Sequence, residues 1–233
     1  MSGRVPKIGA LTIGQSPRVD VLPEFLAAIG GRVEVVQRGA LDGLSAAEVA
    51  QLAPAQDDYV LVTRMRDGSE VRLSESRILE RLRLSVRYLE AAGVEVIALF
   101  CTGEFPDLGT KVPLLRPNLI MERLVPALIP GGKLCAVVPS PDQIPAMTEK
   151  WSRAGCSTRA ESVSPYTSTA DDLRRCASRA ASLDCDLVVL DCIGYSGEAR
   201  AIFRERLNKP VLLPRTLLGR VVGELLGLEG ARG

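Results

Sequence analysis

Two cysteines stand where chemistry could be done. Cys101 follows the apolar run 94–100 (VEVIALF), and Cys192 follows the run 185–190 (CDLVVL) and Asp191; each has a glycine two positions on, in FCTGE and DCIGY. A free thiol ionises near pH 8.5, and a helix N-terminus or a nearby cation lowers that value. One thiolate could take a proton from carbon while a second thiol returns one to the opposite face, inverting a stereocentre without a cofactor. The chain has no histidine, so the usual neutral-pH acid–base group is missing, and proton chemistry must use cysteine, carboxylate, lysine, tyrosine or water. The competing reading is that a cysteine in an apolar run is a small buried hydrophobe. That reading fits Cys135, Cys156, Cys176 and Cys185, and burial should separate Cys101 and Cys192, lining a cleft, from Cys135 and Cys185 in the core.

A carbon acid needs its developing negative charge stabilised by preorganised donors. Backbone N–H groups of Gly14, Gln15 and Ser16, and of Cys101, Thr102 and Gly103, are offered at strand-to-helix turns. Ser140, Ile193, Gly194 and Ser196 could serve in the same way. Arg18 could engage a substrate carboxylate, or be a solvated helix residue. Tyr195 and Tyr166 could hydrogen-bond a ligand or edge the core, and Thr102, Glu104 and Asp191 could be helix caps.

The elements that must position these residues follow from periodicity. Residues 7–13 (KIGALTI) read as a buried strand, 14–18 as a turn, 19–29 as a helix and 33–36 as the next strand. A short helix at 44–52 has Ser45 and Glu48 at capping-box spacing. Residues 58–64 and 69–73 around Asp67-Gly68 read as a β-hairpin. The longest helix signal, 74–92, precedes the strand 94–100. Prolines from 106 to 130 mark a change of texture around the apolar segment 119–128, and a lobe boundary is expected near 106–117. The opening order then repeats: strand 133–138, a Ser-Pro loop, helix 144–154, strand 158–163, helix 171–181 capped by Thr169 or Asp171, and strand 185–190. Helix 198–207, strand 211–213 and helix 216–226 complete the chain.

The pattern predicts an α/β fold of two pseudo-symmetric three-layer lobes with mainly parallel sheets and an inter-lobe cleft. The expected division is 1–112 with a hairpin insertion near 58–73, 113–214, and a terminal helix in 215–233. Continuous apolar strands fit sheets covered on both faces, and ligands favour the C-terminal ends of such strands.

Lysine and arginine number 29 against 28 aspartate and glutamate, with no basic cluster of the kind nucleic acid requires. No apolar run approaches the roughly 18–20 residues that cross a bilayer, and residues 1–7 lack a signal-peptide core. A cytoplasmic protein with reduced thiols is expected, without nucleic-acid or membrane partners. No cofactor is expected, and the absence of C-x-x-C spacing argues against a metal. Open hairpin edges point to a homo-oligomer.

The residues also carry a resemblance. Through KIGALTIGQSPR (7–18), RGALDGLS (38–45), RMRDGSEVRLSE (64–75), LFCTGEFP (99–106) and DCIGYS (191–196), the chain closely resembles the AroM family. More distantly it resembles the aspartate/glutamate/hydantoin racemase superfamily. That resemblance implies two lobes enclosing a small carboxylate-bearing substrate, with Cys101 and Cys192 as acid–base pair and Thr102 as the hydroxyl neighbour of the first. It implies that the final helix packs back on the first lobe. Ile193 stands where a threonine commonly follows the second cysteine, and the segment from Thr12 to Pro17 replaces the usual acidic or asparagine-bearing anchor. The working expectation is a cofactor-independent racemase or epimerase-like enzyme acting on a small carboxylate or cyclic amide. The alternatives are a single-cysteine isomerase or decarboxylase, and a non-catalytic small-metabolite binding protein.

Overall fold

The computed structural model describes residues 4–228. The chain divides into two compact units. One runs up to Pro117 and resumes at Leu218, and the other is Asn118–Leu217.

In the first unit, β1 (Lys7–Thr12), β2 (Glu34–Gly39), β5 (Val96–Phe100) and the short β6 (Leu114–Leu115) form one parallel sheet in the order β2-β1-β5-β6. β1 and β5 are buried almost throughout, because helices cover both faces, as parallel sheets require. On one face α1 (Leu22–Ile29) sets Phe25 edge-on to Phe100, ring centroids 5.0 Å apart. On the other, α3 (Glu75–Ala91) packs Ile78, Leu82, Val86 and Leu89 against Leu11, Ile97 and Leu99. α2 (Ala46–Ala50) begins at the expected capping box, with Ser45 and Glu48 satisfying each other's backbone N–H. The hairpin forms as expected from β3 (Val60–Arg64) and β4 (Glu70–Ser74), with Gly68 at φ 96° in its turn.

The second unit repeats this plan. β7 (Lys133–Val138), β8 (Ser157–Ser162), β9 (Leu187–Leu190) and β10 (Val211–Leu212) form a parallel sheet that reads β8-β7-β9-β10. With β7 in the place of β1 and β9 in the place of β5, the two strand orders coincide, so the repeat suggested by motif order is a repeat of topology. α4 (Pro117–Leu128) and α5 (Ile144–Arg153) cover one face with Met121, Val125, Met147 and Trp151. α6 (Ala170–Ala181), capped by Thr169, and α7 (Gly197–Leu207) cover the other with Cys176, Ala177, Ala180 and Phe203.

Three expectations need correction. The first helix does not begin at residue 19 but at Leu22. Residues 18–21 form a turn closed by Arg18 O accepting from the Val21 and Leu22 amides, and Pro23 suits the first helical turn, where its missing N–H costs nothing. β6 was not anticipated: two half-buried leucines give no periodic signal. The run 185–190 is a strand only from Leu187.

α8 (Pro214–Leu225) begins in the second unit and ends in the first. There its glycines permit helix–backbone contact with α1. A Cβ at Gly219 would stand 2.5 Å from Phe25 O, and one at Gly223 would overlap Ile29 O. Among the described residues no helix is long and apolar enough to cross a membrane.

Gly223→Val should force α8 away from α1 and lower stability by about 1–3 kcal/mol. Thermal unfolding of the full chain measures this, and an unchanged midpoint would show that the close approach is not needed.

Candidate functional site

Register places the chemistry of the first unit. Thr12 pairs with Phe100 on one side and Gly39 on the other, so the segments 13–17 and 101–103 leave the sheet side by side at the C-terminal ends of their strands. Cys101 is 8% exposed, and its Sγ accepts from the Gly103 N–H at 3.3 Å.

The neighbouring turn is held by side chains. Asp42 accepts from Ser16 N at 2.8 Å, Ser16 Oγ at 2.7 Å and Gly39 N at 2.8 Å. Arg66 donates through Nε and Nη2 to Ser16 O, and its own N–H donates to Gln15 Oε1. Arg18, expected as a substrate clamp on a helix, is instead a buried turn residue. Its Nη2 lies 2.8 Å from Asp20 Oδ2, and its Nη1 donates to Thr12 Oγ1 at 3.2 Å. Although burial raises the Asp20 carboxyl, the hydrogen bond and charge of Arg18 hold it below its ordinary value.

The hairpin lies over both segments. A Cβ on Gly14 would stand 2.5 Å from Arg64 O and 2.6 Å from Thr63 Oγ1, and one on Gly103 would stand 2.6 Å from Leu61 Cδ2. Gly14 has no room for a side chain against the Arg64 backbone, and at Gly103 a Cβ would have to displace the end of the Leu61 side chain.

In the second unit Cys192 occupies the equivalent strand end. It is 6% exposed, and its Sγ accepts from the Gly194 N–H at 3.4 Å. The hydroxyl of Tyr166 is 3.7 Å from the same sulfur. A Cβ on Gly194 would stand 2.5 Å from the Tyr166 ring, so this glycine too is fixed by its neighbour. Asp191, one residue earlier, accepts on Oδ2 from Lys150 Nζ and from Trp151 Nε1, both at 2.9 Å. This is an ion pair away from water: the two side chains are 2% and 0% exposed. Arg215, 1% exposed, donates to Ile193 O at 3.0 Å and Gly194 O at 2.6 Å.

The two sulfurs therefore share one local design, a C-x-G turn in which the glycine amide turns back on the thiol. All six cysteines are buried, and the expected order holds within a narrow range, with Cys101 and Cys192 at 8% and 6% exposure against 0% and 2% for Cys135 and Cys185. Cys101 and Cys192 stand at strand ends, each with a glycine amide donated to its sulfur. Cys135 lies in the core, where the Cys185 thiol beside it and burial push its pKa up. Burial pushes Cys176 up to about 12 and raises Cys156.

Several expected ligand contacts are already engaged within the chain. The Gly14 amide donates to Thr12 Oγ1, the Ser16 amide to Asp42, and the Gly103 and Gly194 amides to sulfur. Ser140 donates to Asp142, and Ser196 caps α7 by accepting from Ala199 N. Tyr195 is a core residue, fully buried with its hydroxyl donated to Val163 O at 2.6 Å; burial raises its pKa well above the ordinary value. Thr102 and Ile193 are buried within their cysteine turns.

The sequence reading missed Asp42, Lys150 and Arg215. Lys150 had a signal: it falls between Met147 and Trp151 on the apolar stripe of α5, where a lysine needs a partner. Among the described residues no group of three or more His, Cys, Asp or Glu is placed to hold a metal ion.

A family model described as AroM protein matches residues 8–226. No curated protein matches the chain. Among solved structures, the maleate isomerase Iso from Pseudomonas putida S16 is similar at 13% identity and a TM-score of 0.64, covering 97% of this chain and 94% of that one. Allantoin racemase from Klebsiella pneumoniae is similar at 15% identity and a TM-score of 0.63, with 97% and 90% covered. Unliganded arylmalonate decarboxylase is similar at 16% identity and a TM-score of 0.60, with 98% and 94% covered. At these identities the likeness is one of fold.

Lys150→Met should leave the Asp191 carboxylate buried without its countercharge and cost about 3–5 kcal/mol. Adding Asp191→Asn should recover part of that loss. Urea unfolding of the single and double variants reads both, and a double variant no more stable than Lys150→Met would break the assignment.

Proposed function

The chain belongs to the AroM family, and on that premise we propose that it is a cofactor-independent racemase or epimerase-like enzyme acting on a small carboxylate or cyclic amide. Cys101 and Cys192 are its acid–base residues. The observation that carries this reading is the repeated turn. Two strands of equal topological position each end in a cysteine whose sulfur accepts an N–H from the glycine two residues on. An amide aimed at sulfur favours the charged form of a thiol. Burial pushes Cys156 and Cys176 the other way, whereas the hydrogen bond with Cys135 lowers Cys185.

In the proposed reaction one thiolate removes the proton from the carbon next to a carboxylate or amide carbonyl. The C–H electron pair moves into that carbonyl to give an enolate-like species. The other thiol then protonates the opposite face of the same carbon as the carbonyl re-forms. No net oxidation occurs, and the two thiols exchange protonation states. The fold's relatives named as racemase, isomerase and decarboxylase are consistent with chemistry at such a carbon.

The unequal surroundings of the two sulfurs favour a second reading, in which one cysteine alone works as base, nucleophile or proton donor. Tyr166 Oη stands 3.7 Å from Cys192 Sγ, and a phenol can share proton transfer with a thiol.

Incubation in D₂O with a panel of amino acids, hydroxy acids, substituted diacids and hydantoins, followed by proton NMR, tests both. Exchange at one stereogenic carbon, reduced by about 100-fold or more in Cys101→Ser and in Cys192→Ser alike, is the expected result. Loss in only one variant selects the single-cysteine reading. Tight binding of a panel member without exchange, unchanged in the double serine variant, would replace both with a metabolite-binding role.

A further inference from the structure

Arg215 meets the Cys192 turn from the side away from the sulfur. Its Nε donates to Ile193 O at 3.0 Å, and the N–H of the same peptide unit, carried by Gly194, donates to Cys192 Sγ at 3.4 Å. A trans peptide is planar, with its carbonyl and N–H pointing in opposite directions, so fixing one end aims the other. A second donor, Nη2, holds the Gly194 carbonyl at 2.6 Å. The guanidinium is almost wholly buried and stays charged in proteins. In such a setting a donor on the carbonyl side of a peptide strengthens the N–H on its far side.

We infer that Arg215 is a positioning residue for Cys192, stabilising its thiolate through the Ile193–Gly194 peptide without touching the sulfur. This rests on the reading of Cys192 as a working thiolate and deepens it by naming what sustains the charge. Among the described residues, the polar and titratable groups of the neighbouring elements are placed as follows. The Asp191 carboxylate accepts from Lys150 and Trp151. Tyr195 gives its hydroxyl to Val163 O. Cys176, from α6, is raised by burial. Tyr166 offers a neutral hydroxyl at 3.7 Å. The guanidinium that holds the Ile193 carbonyl behind the peptide complements a thiolate in front of it.

The test is a pH titration of the full chain by NMR, with ¹³C at cysteine Cβ and ¹⁵N throughout. The Cys192 signal is assigned by its loss in Cys192→Ser. In the wild-type chain the Cys192 Cβ, Gly194 amide and Arg215 Nε–H resonances should move with one shared midpoint. Arg215→Met and Arg215→Gln should raise that midpoint by about one pH unit or more and leave the Cys101 midpoint in place. A Cys192 midpoint unmoved in a natively folded variant would overturn the assignment, as would a Cys101 midpoint that moves equally far. If neither variant folds, the wild-type chain decides: an Arg215 Nε–H signal that stays flat through the Cys192 midpoint refutes the coupling. The titration needs no substrate, so its failure is distinct from a failure of exchange in D₂O.

Discussion

An ionised sulfur at the end of a buried strand has to be solvated by the chain itself. Water reaches Cys101 and Cys192 over less than a tenth of their surface, and a bare thiolate in such a place would take up a proton. On the proposed reading, the need is met in each unit by a backbone N–H, brought round by a turn of three residues. A Cβ at the third position would press on a hairpin leucine in one turn and on a tyrosine ring in the other. The parallel sheets, the helices on both faces and the matched register of β1 with β5 and β7 with β9 all serve to deliver a cysteine and its glycine to that point.

The units reach the same turn by different supports. In the first, the hairpin lies over the strand ends, and Asp42 and Arg66 clamp Ser16 from opposite polarities. In the second, an interior ion pair between Lys150 and Asp191 fixes the residue before the cysteine, and Arg215 fixes the two residues after it. A buried ion pair contributes little net stability against well-packed apolar side chains, because desolvation cancels most of the attraction. Its value here is directional: Asp191 can neither rotate nor move without leaving Lys150 and Trp151 unmatched, so the backbone entering Cys192 is held in one course.

The framework was legible in the sequence because strands covered on both faces are apolar without interruption and amphipathic helices repeat every three to four residues. VEVIALF and KLCAVV read directly as interior strands, and Ser45 with Glu48 announced a helix start. The supports were less legible. Arg18 reads as a surface residue until the chain folds Asp20 and Thr12 onto its guanidinium. Arg215 has no local mark, since it holds two backbone carbonyls some twenty residues earlier, and a carbonyl leaves no trace in the identity of the residue that bears it. Tyr195 was ambiguous for a related reason: a tyrosine beside a cysteine turn suits a ligand or a core, and only the Val163 carbonyl decides in favour of the core.

Burial ranks the cysteines in the expected order but only narrowly, since each is less than a tenth exposed. A difference of that size does not by itself distinguish an acid–base group from a small hydrophobe. The distinguishing quantity is which protonation state the surroundings favour. Cys176 belongs to an apolar cluster, and burial pushes its thiol to about 12. Around Cys192, in the same cluster, the Gly194 N–H points at the sulfur and an arginine stands behind the peptide that carries it. On the proposed reading, one packed core holds an inert thiol and a reactive one, and the orientation of a single peptide tells them apart.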